Sequence, residues 1–216
     1  LSRSSLRKEE EKSEIERILR EFEIRYEQAL GELISKLMRL KMEKLEEEAS
    51  NDESKKEEYE EARKTFEEHE NTFEELKKQA IRDLNSDELD DLKKSYREAA
   101  KICHPDTAAE EFREKSKEAF QKLSEAYHKN DLEGVKDVLY ALKHGGQLLK
   151  DSDVVSDKSI LESRITSLKK KIDEIDIQLE EYENSEAWTT VNGLDDWDEF
   201  FNRSRVAIEK EIEELI

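Results

Sequence analysis

The chain has 216 residues, of which 44% are charged and 34% hydrophobic, and a formal net charge of -20. A globular domain of this length usually has about a quarter charged residues and a larger apolar fraction, so one large hydrophobic core is excluded. The strongly acidic balance also argues against nucleic acid as the main partner, because the phosphates would be repelled.

The first 84 residues carry two apolar stripes separated by a polar interruption. In residues 7–48 apolar side chains recur every three to five positions, which is typical of one face of a continuous helix. The polar residues 49–54 predict a turn, and residues 59–80 then follow the three-four spacing of a heptad seam. His69 falls in this seam and is interpreted as a core residue or as a polar residue that sets the register, and not as a ligand. A short turn between two such helices favours an antiparallel coiled-coil hairpin over residues 1–84.

Residues 85–146 predict three shorter helices. Asn85 and Glu88 approximate a capping box at the start of the first of them. This helix is expected to end at His104, because Pro105 disfavours helical geometry in the residue before it. After a short loop comes a second amphipathic helix and then a third, which closes at a Gly-Gly pair typical of a helix C-cap.

The last third, residues 147–216, repeats the plan of the first. A heptad stripe over residues 161–182 is followed by the aromatic segment EAWTTVNGLDDWDEFF, the least helical stretch of the sequence, and by a final helix. This pattern predicts a second antiparallel hairpin with an aromatic tip. Four aromatic residues cluster at the tip: Trp188, Trp197, Phe200 and Phe201. Two roles fit them equally, capping of the end of the coil and anchoring of a partner protein.

The segment LKKSYREAAKICHPD, residues 92–106, joins a basic helix to a His-Pro-Asp loop. The chain has one proline, and it stands between His104 and Asp106. Pro105 holds the shape of the loop, while Asp106 presents a carboxylate able to pair with an arginine of a partner.

A positive face precedes this loop. Between Leu92 and His104 there are four basic residues and one acidic residue, a net charge of +3 within a strongly acidic chain. A positive stripe in such a chain suits docking on an acidic protein surface. The basic residues share or border one face of the helix: Lys93, Lys94, Arg97 and Lys101.

These residues resemble the second helix, the signature loop and the third helix of the J-domain of DnaJ-type co-chaperones. The resemblance covers about 45 residues from Leu89 to about Lys129, and it includes Leu-Lys-Lys-x-Tyr-Arg before the loop and Ala126-Tyr127 after it. The tail of the segment is similar to bacterial J-domain proteins flanked by coiled coils. Together with the apolar stripes on either side, the resemblance predicts an all-α fold, in which two long antiparallel coiled-coil hairpins flank a central J-domain-like hairpin.

By resemblance the partner is a DnaK-type chaperone ATPase of the heat-shock 70 class, whose ATP hydrolysis the domain stimulates. The resemblance assigns the stimulatory role to His104, Pro105 and Asp106. It assigns docking on the chaperone to four residues: Lys93, Lys94, Arg97 and Lys101. Docking needs an exposed loop, so a His104 loop buried under either coiled coil would be masked or non-functional.

The segment also departs from the J-domain pattern. Where the family has a short first helix, the sequence has FEELKKQAIRDLNSDE, which looks like the end of a long coiled-coil helix. Either the N-terminal hairpin braces the J-like helices, or the J-domain is incomplete. Neither a Gly/Phe-rich linker nor a cysteine-rich zinc module is present in the sequence.

Two functions therefore compete. The first is a co-chaperone whose coiled-coil arms bind a client, an adaptor protein or a second copy of the chain. The second is a structural adaptor in which a degenerate J-like hairpin only connects two coiled coils. A DNA-mimicking acidic protein would rest on charge alone.

The sequence predicts no enzyme, cofactor or metal site. Phosphate-binding loops, nucleophile elbows and zinc-ligand spacings are all missing from it. The single cysteine, Cys103, falls on the apolar face of its helix and is interpreted as a small core residue. One cysteine fits a reducing compartment, and no apolar run is long enough to span a membrane, so we expect a cytoplasmic protein without a membrane partner.

Overall fold

The computed structural model describes residues 2–79, 81–108, 112–144 and 158–216. Every regular element in these ranges is helical, which confirms the predicted all-α fold. The α-helices, in chain order, are α1 Ser2–Asn51, α2 Lys56–Lys77, α3 Ser86–Cys103, α4 Arg113–His128, α5 Leu132–His144, α6 Lys158–Glu183, α7 Glu186–Asn192 and α8 Trp197–Leu215. Within the same ranges, no helix combines the length and the apolarity needed to cross a bilayer.

The chain divides into two compact units. Unit 1 consists of Leu1–Glu21 and Ile81–Asn192, and unit 2 consists of Phe22–Ala80 and Gly193–Ile216. Helix α1 and the C-terminal third each have residues in both units. Each unit therefore combines residues from more than one of the segments predicted as domains. The segments 1–84, 85–146 and 147–216 stay a prediction about domains.

In unit 1, α3 begins and ends where the sequence predicts. The Asn85 side chain accepts a hydrogen bond from the Glu88 backbone N–H at 3.0 Å, and the Asn85 backbone N–H donates to the Glu88 carboxylate at 2.9 Å, which completes the capping box. At the other end His104 has extended backbone angles, φ -65° and ψ 125°, as expected before a proline. The predicted glycine cap Gly145-Gly146 after α5 lies outside the described residues.

Helices α3, α4 and α5 pack around one core. The rings of Tyr96 and Tyr127 stack at its centre with centroids 4.0 Å apart. Burial raises the pKa of the Cys103 thiol to about 12, so this cysteine is an unreactive core residue, as predicted. The buried members of the core are Leu92, Tyr96, Ala99, Ala100, Cys103, Leu123, Tyr127, Val135 and Leu139.

The start of α1 packs on these helices, and α6 packs on the start of α1. Leu6 lies against the core, and the Ser13 and Tyr96 hydroxyl oxygens are 2.9 Å apart. Thus the brace on the J-like helices comes from the first turns of α1. Three apolar residues join α1 to α6: Ile15, Ile175 and Leu179.

The contacts show that α6 runs in the same direction as α1. Lys171 lies 2.8 Å from Glu9, Gln178 2.9 Å from Lys12 and Tyr182 3.0 Å from Glu16. The apolar stripe predicted for α6 is therefore used against α1.

In unit 2, α2 folds back along α1 as an antiparallel hairpin. Later residues of α2 meet earlier residues of α1: Tyr59 with Glu46, His69 with Ser35 and Lys77 with Glu32. The ring of His69 stacks on Phe73, with centroids 6.1 Å apart, within the seam where the sequence places it.

Helix α8 packs on α1 within unit 2. Trp197 meets Phe22, the Arg205 guanidinium donates to the Ala29 carbonyl at 2.6 Å, and Lys41 pairs with Glu211 at 2.7 Å. These contacts advance along both helices, so α8 also runs in the direction of α1. Because α6 belongs to unit 1 and α8 to unit 2, the predicted C-terminal hairpin stays a prediction. The aromatic segment predicted to be least helical is helical except at residues 193–196.

Candidate functional site

The His-Pro-Asp loop lies in unit 1 between α3 and α4. Its first turn is closed by the Asp106 backbone N–H, which donates to His104 Nδ1 at 3.2 Å. The His104 ring stands edge-on to Phe120 of α4, with centroids 5.3 Å apart. The stop of α3 at Pro105 and the packing of His104 on α4 together hold the loop in place.

Helices α1 and α6 cover this loop. His104 is 1% exposed, and its Nε2 is bonded to the Glu9 carboxylate of α1. The Lys171 ammonium of α6 lies 2.8 Å from Glu9 Oε1 and 2.8 Å from Asp106 Oδ2. His104 is therefore masked by neighbouring helices, whereas Pro105 and Asp106 are half-buried.

The charges of this cover are set by the contacts themselves. Burial raises the pKa of Glu9, but hydrogen bonds and charge from His104 and Lys171 outweigh it, so the pKa lies below its usual value. Burial likewise lowers the pKa of Lys171, and its contacts with Asp106 and Glu9 more than compensate. Glu9 is consequently held as a carboxylate and Lys171 as an ammonium.

Part of the basic face is paired with α1. The Lys93 ammonium lies 3.0 Å from the Glu14 carboxylate, and Arg97 Nε lies 3.9 Å from Glu10. The Arg97 side chain is nonetheless 59% exposed to solvent. The other two members of the face are exposed: Lys94 and Lys101. Four of the residues predicted to dock a partner therefore make ionic contacts within the chain: His104, Asp106, Lys93 and Arg97.

A buried ion network attaches α1 beside this site, and sequence reasoning did not single it out. Arg17 is 3% exposed and donates to Glu14 at 3.0 and 3.1 Å, to Glu21 at 3.0 Å and to the Asn130 side chain at 2.9 Å. The Tyr127 hydroxyl donates to the same Glu14 carboxylate at 2.5 Å. The network joins α1 to the C-terminal end of α4.

The Glu14 carboxylate gives unit 1 a pH dependence. Burial raises the pKa of Glu14, but hydrogen bonds from Arg17, Tyr127 and Lys93 outweigh it and lower the pKa from 4.5 to about 2. Because the folded-state pKa lies below the unfolded one, the stabilisation is complete above pH 4.5 and is lost as the pH falls toward about 2. We expect this one group to account for on the order of 3 kcal/mol of acid destabilisation.

Urea unfolding of the wild-type chain and of Glu14→Gln, measured from neutral pH into this acidic range, checks the expectation. The two curves of unfolding free energy against pH should converge as the pH falls, because a protonated glutamate and a glutamine make similar contacts. Parallel curves would contradict the assignment of the pH dependence to Glu14.

The cover of the loop also has the composition of a cation site. Glu9, His104 and Asp106 each offer a ligand atom, and these atoms lie within 4.8 Å of one another. The Lys171 ammonium touches both carboxylates, so a positive charge already lies among them. The cluster is best described as a closed ion-pair network.

The aromatic residues singled out in the last third pack within the chain. In unit 1, Trp188 packs against Ile15, Ile175 and Leu179. In unit 2, the ring centroid of Phe22 is 5.2 Å from that of Trp197, 6.0 Å from that of Phe200 and 5.5 Å from that of Phe201. Of the two roles that fit these residues, internal packing accounts for the contacts seen, and anchoring of a partner stays an untested prediction.

The comparison with protein families bears on this site. Residues 84–129 match the family model of the DnaJ domain, a range that includes α3, the His-Pro-Asp loop and α4. Searches among curated proteins and among solved structures found no match. The family match confirms the resemblance inferred from LKKSYREAAKICHPD. Residues 84–129 of the chain therefore form a DnaJ domain.

Proposed function

We propose that the chain is a co-chaperone that docks on a DnaK-type chaperone ATPase and stimulates its ATP hydrolysis. The observation that carries the proposal is the DnaJ domain at residues 84–129, with His104-Pro105-Asp106 at the turn between α3 and α4. Because this domain regulates a chaperone and is not a catalytic family, the chain is proposed to act through its partner's active site.

Each part of the site has a physical role in this proposal. Asp106 is able to form a charge-assisted pair with an arginine of the chaperone, and Pro105 holds the loop that presents it. Lys94, Arg97 and Lys101, which are exposed, would steer the domain onto an acidic surface of the chaperone. Lys93 and His104 would join them once their contacts with α1 are exchanged for contacts with the partner.

The long helices of both units complete the proposal. Coiled-coil surfaces are suited to binding a client, an adaptor protein or a second copy of the chain, and would bring the stimulus to a chosen place. A cytoplasmic location is part of the same proposal, since the single cysteine is a reduced core thiol.

One observation favours the alternative function, a structural adaptor without ATPase stimulation. His104 is buried, and Asp106 is paired with Lys171 of α6. A loop that only connects two helices does not have to be accessible to a chaperone, so these contacts could be permanent. The two functions differ in what happens to a chaperone's ATPase.

Single-turnover ATP hydrolysis by a DnaK-type chaperone tests the proposal. We expect the wild-type chain to accelerate hydrolysis, and Asp106→Asn to reduce the acceleration about tenfold or more, since a charged hydrogen bond contributes roughly 1.5–3 kcal/mol. Because Lys171 closes the loop, the assay is run in parallel with Lys171→Glu, in which the loop is expected to be open.

The matched control is Asp137→Asn, the same chemical change at an exposed position of α5. It should leave the acceleration unchanged. If neither the wild-type chain nor Lys171→Glu accelerates hydrolysis, the co-chaperone proposal is wrong and the adaptor function stands.

A further inference from the structure

The groups that cover the His-Pro-Asp loop lie outside the DnaJ match. Glu9 belongs to the start of α1 and Lys171 to the middle of α6, and both contact the loop directly. Two further glutamates of α1, Glu10 and Glu14, meet the basic face of α3. We call this set of four residues the clamp: Glu9, Glu10, Glu14 and Lys171.

The clamp makes the kind of contact that an acidic docking partner would make. Its three glutamates meet His104, Arg97 and Lys93, which are residues assigned to chaperone docking. Lys171 forms an ion pair with the carboxylate of Asp106, to which an arginine of the partner would otherwise bind. The two sets of contacts use the same atoms, so they cannot form together.

The interface between α1 and the J-like helices is mostly polar, with Leu6 as a half-buried apolar contact. In the first 21 residues the buried side chains that the structure describes are Ser5, Ser13, Ile15 and Arg17, three of them polar. The apolar one, Ile15, packs with α6. The core of α3, α4 and α5, by contrast, is filled from those helices, with Leu92, Leu123 and Val135 at 0% exposure. Polar interfaces of this kind resemble transient protein–protein contacts more than permanent ones.

We infer that the start of α1 and the middle of α6 form an autoinhibitory clamp, which closes the J domain and competes with the chaperone for the His104 loop and the basic face. The inference rests on the proposed function and adds its regulation. Stimulation then requires opening of the clamp, so the apparent affinity for the chaperone is reduced by the fraction of chain that is open. Lys94 and Lys101 remain exposed while the clamp is closed, which leaves a first contact point for an acidic surface.

The experiment uses the full chain with Lys171→Glu. This change places a third carboxylate beside Glu9 and Asp106, and it leaves every residue assigned to docking intact. We expect about a tenfold lower half-saturating concentration in the single-turnover ATPase assay. We also expect faster hydrogen exchange at residues 101–108 in the chain alone, because the loop loses its cover.

The matched control is Lys170→Glu, the same charge reversal one residue earlier on α6. Lys170 is 79% exposed and pairs with Glu174 on its own helix at 3.4 Å. The half-saturating concentration and the rate of hydrogen exchange at residues 101–108 should both remain at the wild-type level. Circular dichroism of the two variants checks that helix content is preserved.

A second pair of variants tests the clamp without touching the loop. Lys8 of α1 pairs with Asp176 of α6, and neither residue contacts the docking face through this pair. Lys8→Asp should lower the half-saturating concentration a few-fold, since a half-buried ion pair near the surface contributes only modestly. Adding Asp176→Lys restores the pair with reversed charges and should return the value toward wild type.

The outcomes separate the two proposals. Faster exchange in Lys171→Glu together with a lower half-saturating concentration supports the clamp. Equal half-saturating concentrations for the wild-type chain, Lys171→Glu and Lys170→Glu, with stimulation present in all three, overturn the clamp and leave the proposed function standing. Faster exchange without stimulation by any chain overturns the proposed function, and with it the competition, although the cover of the loop would remain real.

Discussion

Replacement of Arg17 by methionine is expected to destabilise unit 1 by roughly 3–5 kcal/mol, because breaking a buried ion pair leaves its partner charge uncompensated. The guanidinium donates hydrogen bonds to Glu14, Glu21 and Asn130. It also lies over the Tyr127 ring, 5.9 Å from its centroid. Methionine preserves much of the side-chain volume but none of these hydrogen bonds. The carboxylates that remain would have to be solvated or protonated.

Thermal unfolding followed by Trp188 fluorescence measures the effect. The experiment uses a Trp197→Phe background, because Trp188 packs in unit 1 and Trp197 in unit 2. A loss of this size should lower the unfolding temperature of unit 1 by about 10 °C. Arg17→Lys keeps the positive charge but loses the planar guanidinium. Its unfolding temperature should lie between those of the wild-type chain and Arg17→Met.

The control for Arg17 is Arg7→Met, the same change at an exposed position of the same helix. It should shift the unfolding temperature little, since exposed substitutions usually stay within about 0.5 kcal/mol. If both variants have the same effect, the network around Arg17 does not stabilise unit 1.

Leu123→Ala is expected to cost roughly 2–5 kcal/mol, because a fully buried leucine leaves a cavity as well as losing its transfer free energy. Leu123 is 0% exposed in the core of α3, α4 and α5. The urea concentration at which unit 1 unfolds, again reported by Trp188, should fall clearly. The same core holds the two helices on either side of the His104 loop, so chaperone stimulation should fall with the folded fraction.

Leu142→Ala is the matched control for this core. Leu142 packs against the same cluster but is only partly buried, so its truncation removes less contact and leaves a site that water can enter. We expect a smaller cost than at Leu123. Equal costs would mean that the core is not centred where the structure has it.

The predictions for Arg17 and Leu123 also bear on regulation of the J domain. Loss of Arg17 weakens the attachment of α1, whereas loss of Leu123 weakens the J-like helices themselves. A chain with Arg17→Met should therefore retain a J domain able to stimulate the chaperone at temperatures where unit 1 is still folded. Leu123→Ala offers no such separation, because it disrupts the core that holds the two helices on either side of the His104 loop.

Local features of the site could be predicted from the sequence. The Asn85 capping box, the stop of α3 before Pro105 and the burial of Cys103 follow from backbone chemistry and helical periodicity, which act over a few residues. The shared face of Lys93 and Arg97 follows from the same periodicity. These features needed no knowledge of the neighbouring helices.

The cover over the loop could not be predicted in the same way. Nothing in the sequence singles out Glu9, Glu10 and Glu14, because an acidic residue on a helix does not show which cation it will meet. Complementary charge between this segment and the basic stripe of α3 was the one signal in the sequence, and many other glutamates offered the same charge. Arg17 likewise reads as a surface cation until the fold places Asn130 and Tyr127 beside it.

By itself the sequence determined that the chain is all-α, that a J-like hairpin lies at its centre and that His104-Pro105-Asp106 forms the turn of that hairpin. Tertiary structure alone decided that α6 packs on α1 in unit 1, that α8 packs on α1 in unit 2, and that Glu9 and Lys171 contact the loop. The physical reason is the same in both cases. Periodicity specifies which face of a helix is apolar or charged, but the partner of that face is chosen by the packing of the whole chain.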